Sequence, residues 1–287
     1  MKKHFSTIIL IIVFFIGFSV LLYPVVSNFL NQINASYAVM DYDEAVNNLS
    51  IQESERLINE AEEYNKLLSG ESTCFGERSL NDDLYKGSLN VTGNGMMGYI
   101  SINKIGVVLP IYHGTSEDFL SRGVGHLESS SLPVGGESTH SVIVGHRGLP
   151  SAKLFTDLDQ LKKGDTFTIT VLNRRLTYKV DQIKTVLPDE INDLNVIAGE
   201  DLVTLVTCTP YGVNTHRLLV RGVRVDNSEG LCLIADAMKI EPIIVASIMS
   251  ALGLLILLAI LLIASRRFCS NKQKKGRENI LNGNENF

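Results

Sequence analysis

Two unbroken apolar runs bracket the chain, and between them the hydrophobic positions change from a helical period to a strand period. The runs are "FSTIILIIVFFIGFSVLLYPVV", Phe5 to Val26, and "IIVASIMSALGLLILLAILLIAS", Ile243 to Ser265. Each has the length expected of a membrane helix, which needs roughly 20 apolar residues to cross about 30 Å of hydrocarbon. Lys2 and Lys3 before the first run would also suit a cleavable signal peptide. Its apolar core exceeds the usual 7 to 15 residues of such peptides, at roughly twenty, and no clear small-x-small site precedes Asn28, so an uncleaved anchor is expected. The second run is followed at once by "RRFCSNKQKKGR", a basic flank of the kind that marks the cytoplasmic side. Both termini are therefore expected inside, with everything from about Ser27 to Pro242 facing outward.

From Asp41 to Leu68 the chain is acidic, and Leu57, Ala61, Tyr64 and Leu68 recur at helical spacing. This predicts a membrane-proximal helical stalk with a solvated acidic face, ended by Gly70. Glu71 to Gly98 carries turn residues and no sustained period, which reads as a long loop. Its "GNGMMG" is a literal G-x-G-x-x-G, but it precedes the strand-like "YISINKIGVVLPIY" instead of opening a helix, so a dinucleotide site is excluded on context.

Beyond it the pattern is β. "TFTITVL" and "RLTYKVDQIKTV" alternate, with Phe167, Ile169 and Val171 on one face answered by Leu176, Tyr178 and Val180 across a turn. "SVIVG" and "LVTLVT" read as short core strands. Only "SAKLFTDLDQL", Ser151 to Leu161, looks helical here, with Ser151 as N-cap. Many short strands with Gly and Pro turns predict a mainly β domain, a sandwich or a closed barrel.

Composition narrows the function class. The 287 residues carry a net charge of −5 and are 45% hydrophobic, which suits one medium domain with appendages and no nucleic-acid partner. Cys74, Cys208 and Cys232 face the outer compartment, where disulfides are permitted, whereas Cys269 sits on the reducing side. An odd number leaves at least one outward thiol without an intramolecular partner. There is no C-x-x-C pair, no H-E-x-x-H and no G-x-S-x-G elbow, so neither a metal site, nor any other cofactor, nor a serine hydrolase is expected.

The candidate chemistry lies at strand ends. Cys208 closes "LVTLVT" before the turn residues of "TPYGVN", and Arg217 opens the next strand. If the two strands pair antiparallel, Cys208 and Arg217 approach one another. His146 lies just past "SVIVG", a loop position on a rigid scaffold of the kind that carries catalysis. By residue type alone Cys208 is a buried structural thiol, half of a disulfide, or a nucleophile. With the other two residues it forms a coherent site: a thiolate favoured by a guanidinium that also donates to an oxyanion, and an imidazole that moves protons.

At these residues the chain resembles the sortases. "TLVTCTPYGVNTHRLLVRG" matches their T-L-x-T-C signature with its downstream arginine, and "THSVIVGHRGLPSAKLFTDLDQLKKGD" is similar to the histidine segment of the class C, pilin-polymerising branch. "IYHGTSEDFLSRGVGHLESSSLPVGGESTHS" is similar to the same branch, and the resemblance runs from about Met97 to Val225. It implies an eight-stranded β-barrel transpeptidase on the outer face of a Gram-positive cell, with Cys208 as nucleophile, His146 as acid and base, and Arg217 as oxyanion or substrate stabiliser. The implied reaction cleaves an LPXTG-like sorting signal of a pilin precursor between Thr and Gly and passes the acyl group to a pilin lysine. Alternatives are a cell-wall-anchoring sortase using a peptidoglycan-precursor amine, and a non-catalytic membrane-tethered assembly module. His140, His216 and Tyr211 read as structural or substrate-wall residues.

The same resemblance implies a lid after the first helix, bearing an Asp-Pro-aromatic motif, and the chain departs from it. The corresponding stretch reads "ESTCFGERS", with Cys74 and Phe75, and "NDDLYKG" offers Asp83 and Tyr85 as a second candidate. The expectation is that Phe75 plugs the cleft and that Cys74 forms a redox-sensitive disulfide latch with Cys208. The expected organisation is an anchor at 1–26, a helical stalk at 27–70, a lid loop at 71–96 and a catalytic barrel at 97–226. A linker at 227–242, a second span at 243–265 and a basic cytoplasmic tail at 266–287 complete it, giving a two-pass membrane protein.

Overall fold

Strand alternation dominates the middle of the molecule, and in the computed structural model it closes on itself. The structure describes residues 2–71 and 82–227, together with Gly253 and Leu255. Eight strands form the barrel: β1 Met96–Ile102, β2 Val107–His113, β3 Val124–His126, β4 Thr139–Val144, β5 Thr166–Val171, β6 Arg174–Val186, β7 Asp201–Thr209 and β8 His216–Val225. Their order around it is β1-β2-β3-β4-β7-β8-β6-β5. Closure leaves no unpaired sheet edge. Of the two architectures the turn-rich pattern allowed, the barrel is the one found.

The β5–β6 hairpin follows the alternation. Phe167 pairs with Tyr178 and Ile169 with Leu176, so the apolar set of both strands enters the core, where the Phe167 and Tyr178 rings stack. "YISINKIGVVLPIY" is two strands and not one: Gly106 at φ 64°, after a 3-10 turn at Asn103–Ile105, reverses the chain so that β1 and β2 pair antiparallel.

Helices pack against the barrel. α1 spans Lys2–Asn47 and α2 Ile51–Glu71, so the helical segment continues one residue past Gly70 and is broken at residues 48–50. Two compact units divide the chain, and the larger, Ser27–Asp236, holds the barrel. Within it Ala61, Tyr64 and Leu68 of α2 and Tyr42 of α1 are buried in the same apolar cluster as the barrel interior. The Tyr42 hydroxyl donates to Met97 O and accepts from Leu172 N, while the Asn65 amide exchanges bonds with the backbone of Leu132. The apolar stripe on α2 is thus barrel core, with the acidic residues left outside. The stretch from Ile11 in α1 has a mean hydropathy of 2.1 and is long and apolar enough to cross a membrane. The second apolar run, 243–265, with the linker and tail beside it, lies outside the described residues apart from Gly253 and Leu255.

Two expectations are corrected. Ser151–Leu161 is not a helix but a chain of turns ending in a 3-10 turn at Leu158–Gln160. Leu154 takes φ 39°, and Phe155 N donates to His146 O, so the buried Phe155 and Leu158 fix a course that helical hydrogen bonds would forbid. The loop expected at 71–96 holds helix α3, Asp82–Gly87. α3 is pinned by Tyr85, which is buried because its ring packs against Tyr64, His113 and His126.

That contact sets an acid sensitivity. His126 is fully buried, its Nε2 lies 2.8 Å from Ser131 O and its Nδ1 lies 2.9 Å from the Tyr85 hydroxyl. A carbonyl only accepts, so the network assigns the proton to Nε2 and leaves Nδ1 to accept from Tyr85. Burial pushes this imidazole down from 6.5 to about 4. Below 6.5 the unfolded chain therefore binds a proton that the folded chain refuses, and stability falls with falling pH. Between about pH 6.5 and about pH 4 this residue is expected to remove about 3 kcal/mol. Urea midpoints across that window check it, and the slope should flatten in His126→Gln.

Candidate active site

The two strands expected to carry the chemistry run side by side in the same direction. β4 and β7 are parallel neighbours, with Val144 opposite Val206. Past that point Gly145 N donates to Val206 O at 3.0 Å and the Thr207 hydroxyl donates to Gly145 O at 2.7 Å. His146 follows Gly145 directly and Cys208 follows Thr207, so the two residues leave the same end of two parallel neighbours. On the other side of β7, Cys208 pairs directly with Arg217 across the antiparallel β7–β8 ladder. Cys208 and Arg217 thus lie side by side, and the His146 loop leaves β4 at the same end of the barrel.

Local sequence explains how each is held. Gly145 precedes His146 because a Cβ there would meet the Phe155 ring at 2.6 Å, and Phe155 in turn holds the His146 carbonyl. Gly148 turns the chain back at φ 79°, close under the Tyr211 ring. The Cys208 thiol is free and half-buried. Arg217 rests its Nη1 on Asn214 O at 3.3 Å and His216 O at 3.1 Å, both in or beside the β7–β8 turn. Among the described residues no carboxylate pairs with its guanidinium. A cation held by neutral carbonyls keeps its full charge available to an incoming anion.

The face of β7 that carries Cys208 also carries Val206, two residues back, as the strand period requires. Val206 packs with Val142 of β4, Leu219 of β8, Val186 of β6 and Leu194 in a second apolar cluster, separate from the barrel core. Ile191, from the same β6–β7 connection as Leu194, leans on it. His140 fixes that connection, with Nδ1 2.8 Å from Asn195 O and Nε2 2.7 Å from the Thr204 hydroxyl. The position of His140 is that of a structural pin. Tyr211 is exposed on the β7–β8 turn, and His216 bonds its neighbour Thr215.

Two side chains near the site had no signature in the sequence. Arg147, one residue past His146, is nearly buried; it donates to the Thr209 hydroxyl beside Cys208 at 3.3 Å and pairs with Asp159. It ties the histidine loop to the cysteine strand. Glu117 opens the short helix α4, Glu117–Leu120, and places Oε2 3.2 Å from His146 Nε2. "HRG" showed an arginine but not its target, and "SEDFL" showed only two acids on a surface turn.

Of the expected lid, Cys74 and Phe75 lie outside the described residues, as does Cys232, so the Cys74 to Cys208 latch falls there too. Asp83 lies in α3. Tyr85 is not in a loop over the thiol. Its hydroxyl accepts from Gly114 N at 2.9 Å and reaches His126, which is level with Ile143 and so three residues down β4 from His146. Burial of its ring among Tyr64, His113 and His126 makes it a core residue.

Known proteins resemble this chain. The sortase domain model matches residues 100–225. Sortase C1 from Streptococcus agalactiae is 52% identical, with a TM-score of 0.63 over 67% of this chain and 99% of that one. Sortase C from Clostridium perfringens, solved with the C-terminal cell wall sorting motif, is 48% identical, with a TM-score of 0.59 over 67% of this chain and 100% of that one. Sortase D of Bacillus subtilis is 31% identical over 131 residues, which are 45% of this chain and 63% of that relative. The match therefore spans less than two thirds of this curated relative's length. With a half-identical relative matched over nearly its whole length, the chain belongs to the sortase family, and its structure resembles those of class C members.

Proposed function

We propose that the protein is a membrane-tethered cysteine transpeptidase that cleaves an LPXTG-like sorting signal between Thr and Gly and transfers the acyl group to a pilin lysine. The observation that supports this reading is the pairing of Cys208 with Arg217 across β7 and β8, beside the parallel strand β4 that leads into His146. Cys208 Sγ, as thiolate, attacks the Thr carbonyl carbon and forms the C–S bond. The oxyanion that develops is met by the Arg217 guanidinium. As the C–N bond breaks, His146 gives its proton to the departing glycine amine and is left neutral. The buried cluster of Val142, Val206 and Leu219 backs the strand end that carries Cys208. The apolar part of α1 anchors the barrel outside the membrane, and 243–265 supplies the second span.

Incubation of the full-length protein in detergent with an LPXTG-type peptide tests the reading by mass spectrometry. The expected result is a thioester on Cys208 carrying the peptide up to its Thr. An adduct on another residue, or a peptide cut elsewhere than Thr-Gly, would overturn it.

A further inference from the structure

The acyl-enzyme poses a charge problem that the proposed catalytic residues leave unanswered. A lysine side chain arrives as an ammonium ion at neutral pH and must lose a proton before its nitrogen can attack, yet Arg217, which no carboxylate among the described residues neutralises, makes the surroundings of Cys208 cationic. Water, the competing nucleophile, carries no charge and is always present. A site that favours transfer over hydrolysis needs a negative group beside the imidazole that takes the proton.

Glu117 stands in that place. Its Oε2 is 3.2 Å from His146 Nε2, and its side chain is 78% exposed, whereas His146 is 27% exposed. Among the described residues Oε1 has no protein partner, so one oxygen is held by the imidazole and the other faces solvent at the mouth of the site. The carboxylate is held by its element. The Phe119 ring stacks on Tyr112 with centroids 4.9 Å apart, the Arg122 guanidinium lies over both rings, and Leu120 is buried. Asp118 on the same turn adds a second negative charge.

We infer that Glu117 forms the acceptor subsite for a primary ammonium group, and that it biases the acyl-enzyme toward amines over water. The inference rests on the reading of Cys208 and His146 as the acyl-transfer pair. The proton balance follows from the resting state. After acylation Cys208 is a thioester and His146 is neutral. The ammonium gives up two protons in all, one before its lone pair attacks the thioester carbon and one as the C–N bond becomes an amide. Cys208 leaves as thiolate when the C–S bond breaks. One proton stays on His146, which restores the imidazolium, and the other leaves through the Glu117 carboxylate to solvent. No other reactant is required.

Nucleophile charge separates this role from simple support of the imidazole. The full-length protein in detergent, loaded with an LPXTG-type peptide, is offered either Nα-acetyl-lysine amide, a cation, or hydroxylamine, which is uncharged at neutral pH. Glu117→Gln is expected to lower kcat/KM for the lysine amide roughly five- to tenfold, with a matching rise in hydrolysed product and little change with hydroxylamine. Glu117→Asp restores part of the loss, and added salt reduces the wild-type preference for the cation. Equal losses with both nucleophiles would overturn the inference, since Glu117 would then act only by holding His146; so would no loss with either. Thioester formation on Cys208 is read in the same samples, so failure of the acceptor subsite is distinct from failure of the nucleophile.

Discussion

Replacing Cys208 by alanine is expected to abolish transfer, lowering turnover roughly 10⁴-fold or more, while the barrel remains folded. The magnitude follows from covalent catalysis. Without Sγ there is no thioester, and a water molecule would have to attack an amide that only Arg217 and substrate binding assist. The fold should tolerate the change because Cys208 sits half-buried at the end of β7, where its backbone pairs with Arg217 whatever the side chain. A surface-edge truncation of this size costs about 1 kcal/mol or less. Peptide transfer and thermal unfolding of the two proteins are compared together. Turnover within tenfold of wild type in a folded variant would remove the thiol from the mechanism.

Particular residues show where the sequence sufficed and where it did not. Alternation from Phe167 to Val180 placed a hairpin correctly because period-two burial and a short turn are local properties. The approach of Cys208 to Arg217 was legible for the same reason: one turn joins their strands, so antiparallel pairing brings the ends together. The parallel pairing that brings the strand before His146 beside the strand of Cys208 was not, since β4 and β7 are separated by β5 and β6 in the chain and no local pattern states their register. Ser151–Leu161 misled because its apolar spacing mimics a helix, whereas Phe155 is fixed by Gly145 and the His146 carbonyl. Tyr85 misled for the opposite reason. An aromatic in a turn-rich stretch resembles a mobile plug, and only the buried His126 imidazole reveals its partner.

The same contrast governs the helical segment. Its acidic residues read as a solvated face, and they are one. The stripe of Ala61, Tyr64 and Leu68 behind them belongs to the barrel core together with Tyr42 of α1. Removing the helices would therefore uncover apolar surface on the barrel. The segment is part of the catalytic unit as well as its connection to the apolar helix.

Arg217→Ala is expected to lower kcat by roughly 10² to 10³, the usual cost of losing one preorganised donor to a tetrahedral oxyanion. The geometry suits Arg217 to that role for a definite reason. Its Nη1 is braced by Asn214 O and His216 O, both uncharged, and no carboxylate among the described residues neutralises it. The guanidinium is thus fixed beside Cys208 with its charge unspent, so no reorganisation is needed as the oxyanion forms. Arg217→Lys keeps the charge but loses the planar guanidinium, whose other nitrogens stay free to donate while Nη1 rests on the two carbonyls, and should recover only part of the rate. The division between kcat and KM decides what kind of help Arg217 gives. A group that acts on the transition state lowers kcat with KM nearly constant, whereas a group that only grips the peptide raises KM. A rise in KM at unchanged kcat, in both variants, would make Arg217 a substrate clamp and leave the oxyanion to backbone donors. Loss of rate in Arg217→Ala with retained thioester formation at long times would instead locate the barrier in attack on the carbonyl, where the charge develops.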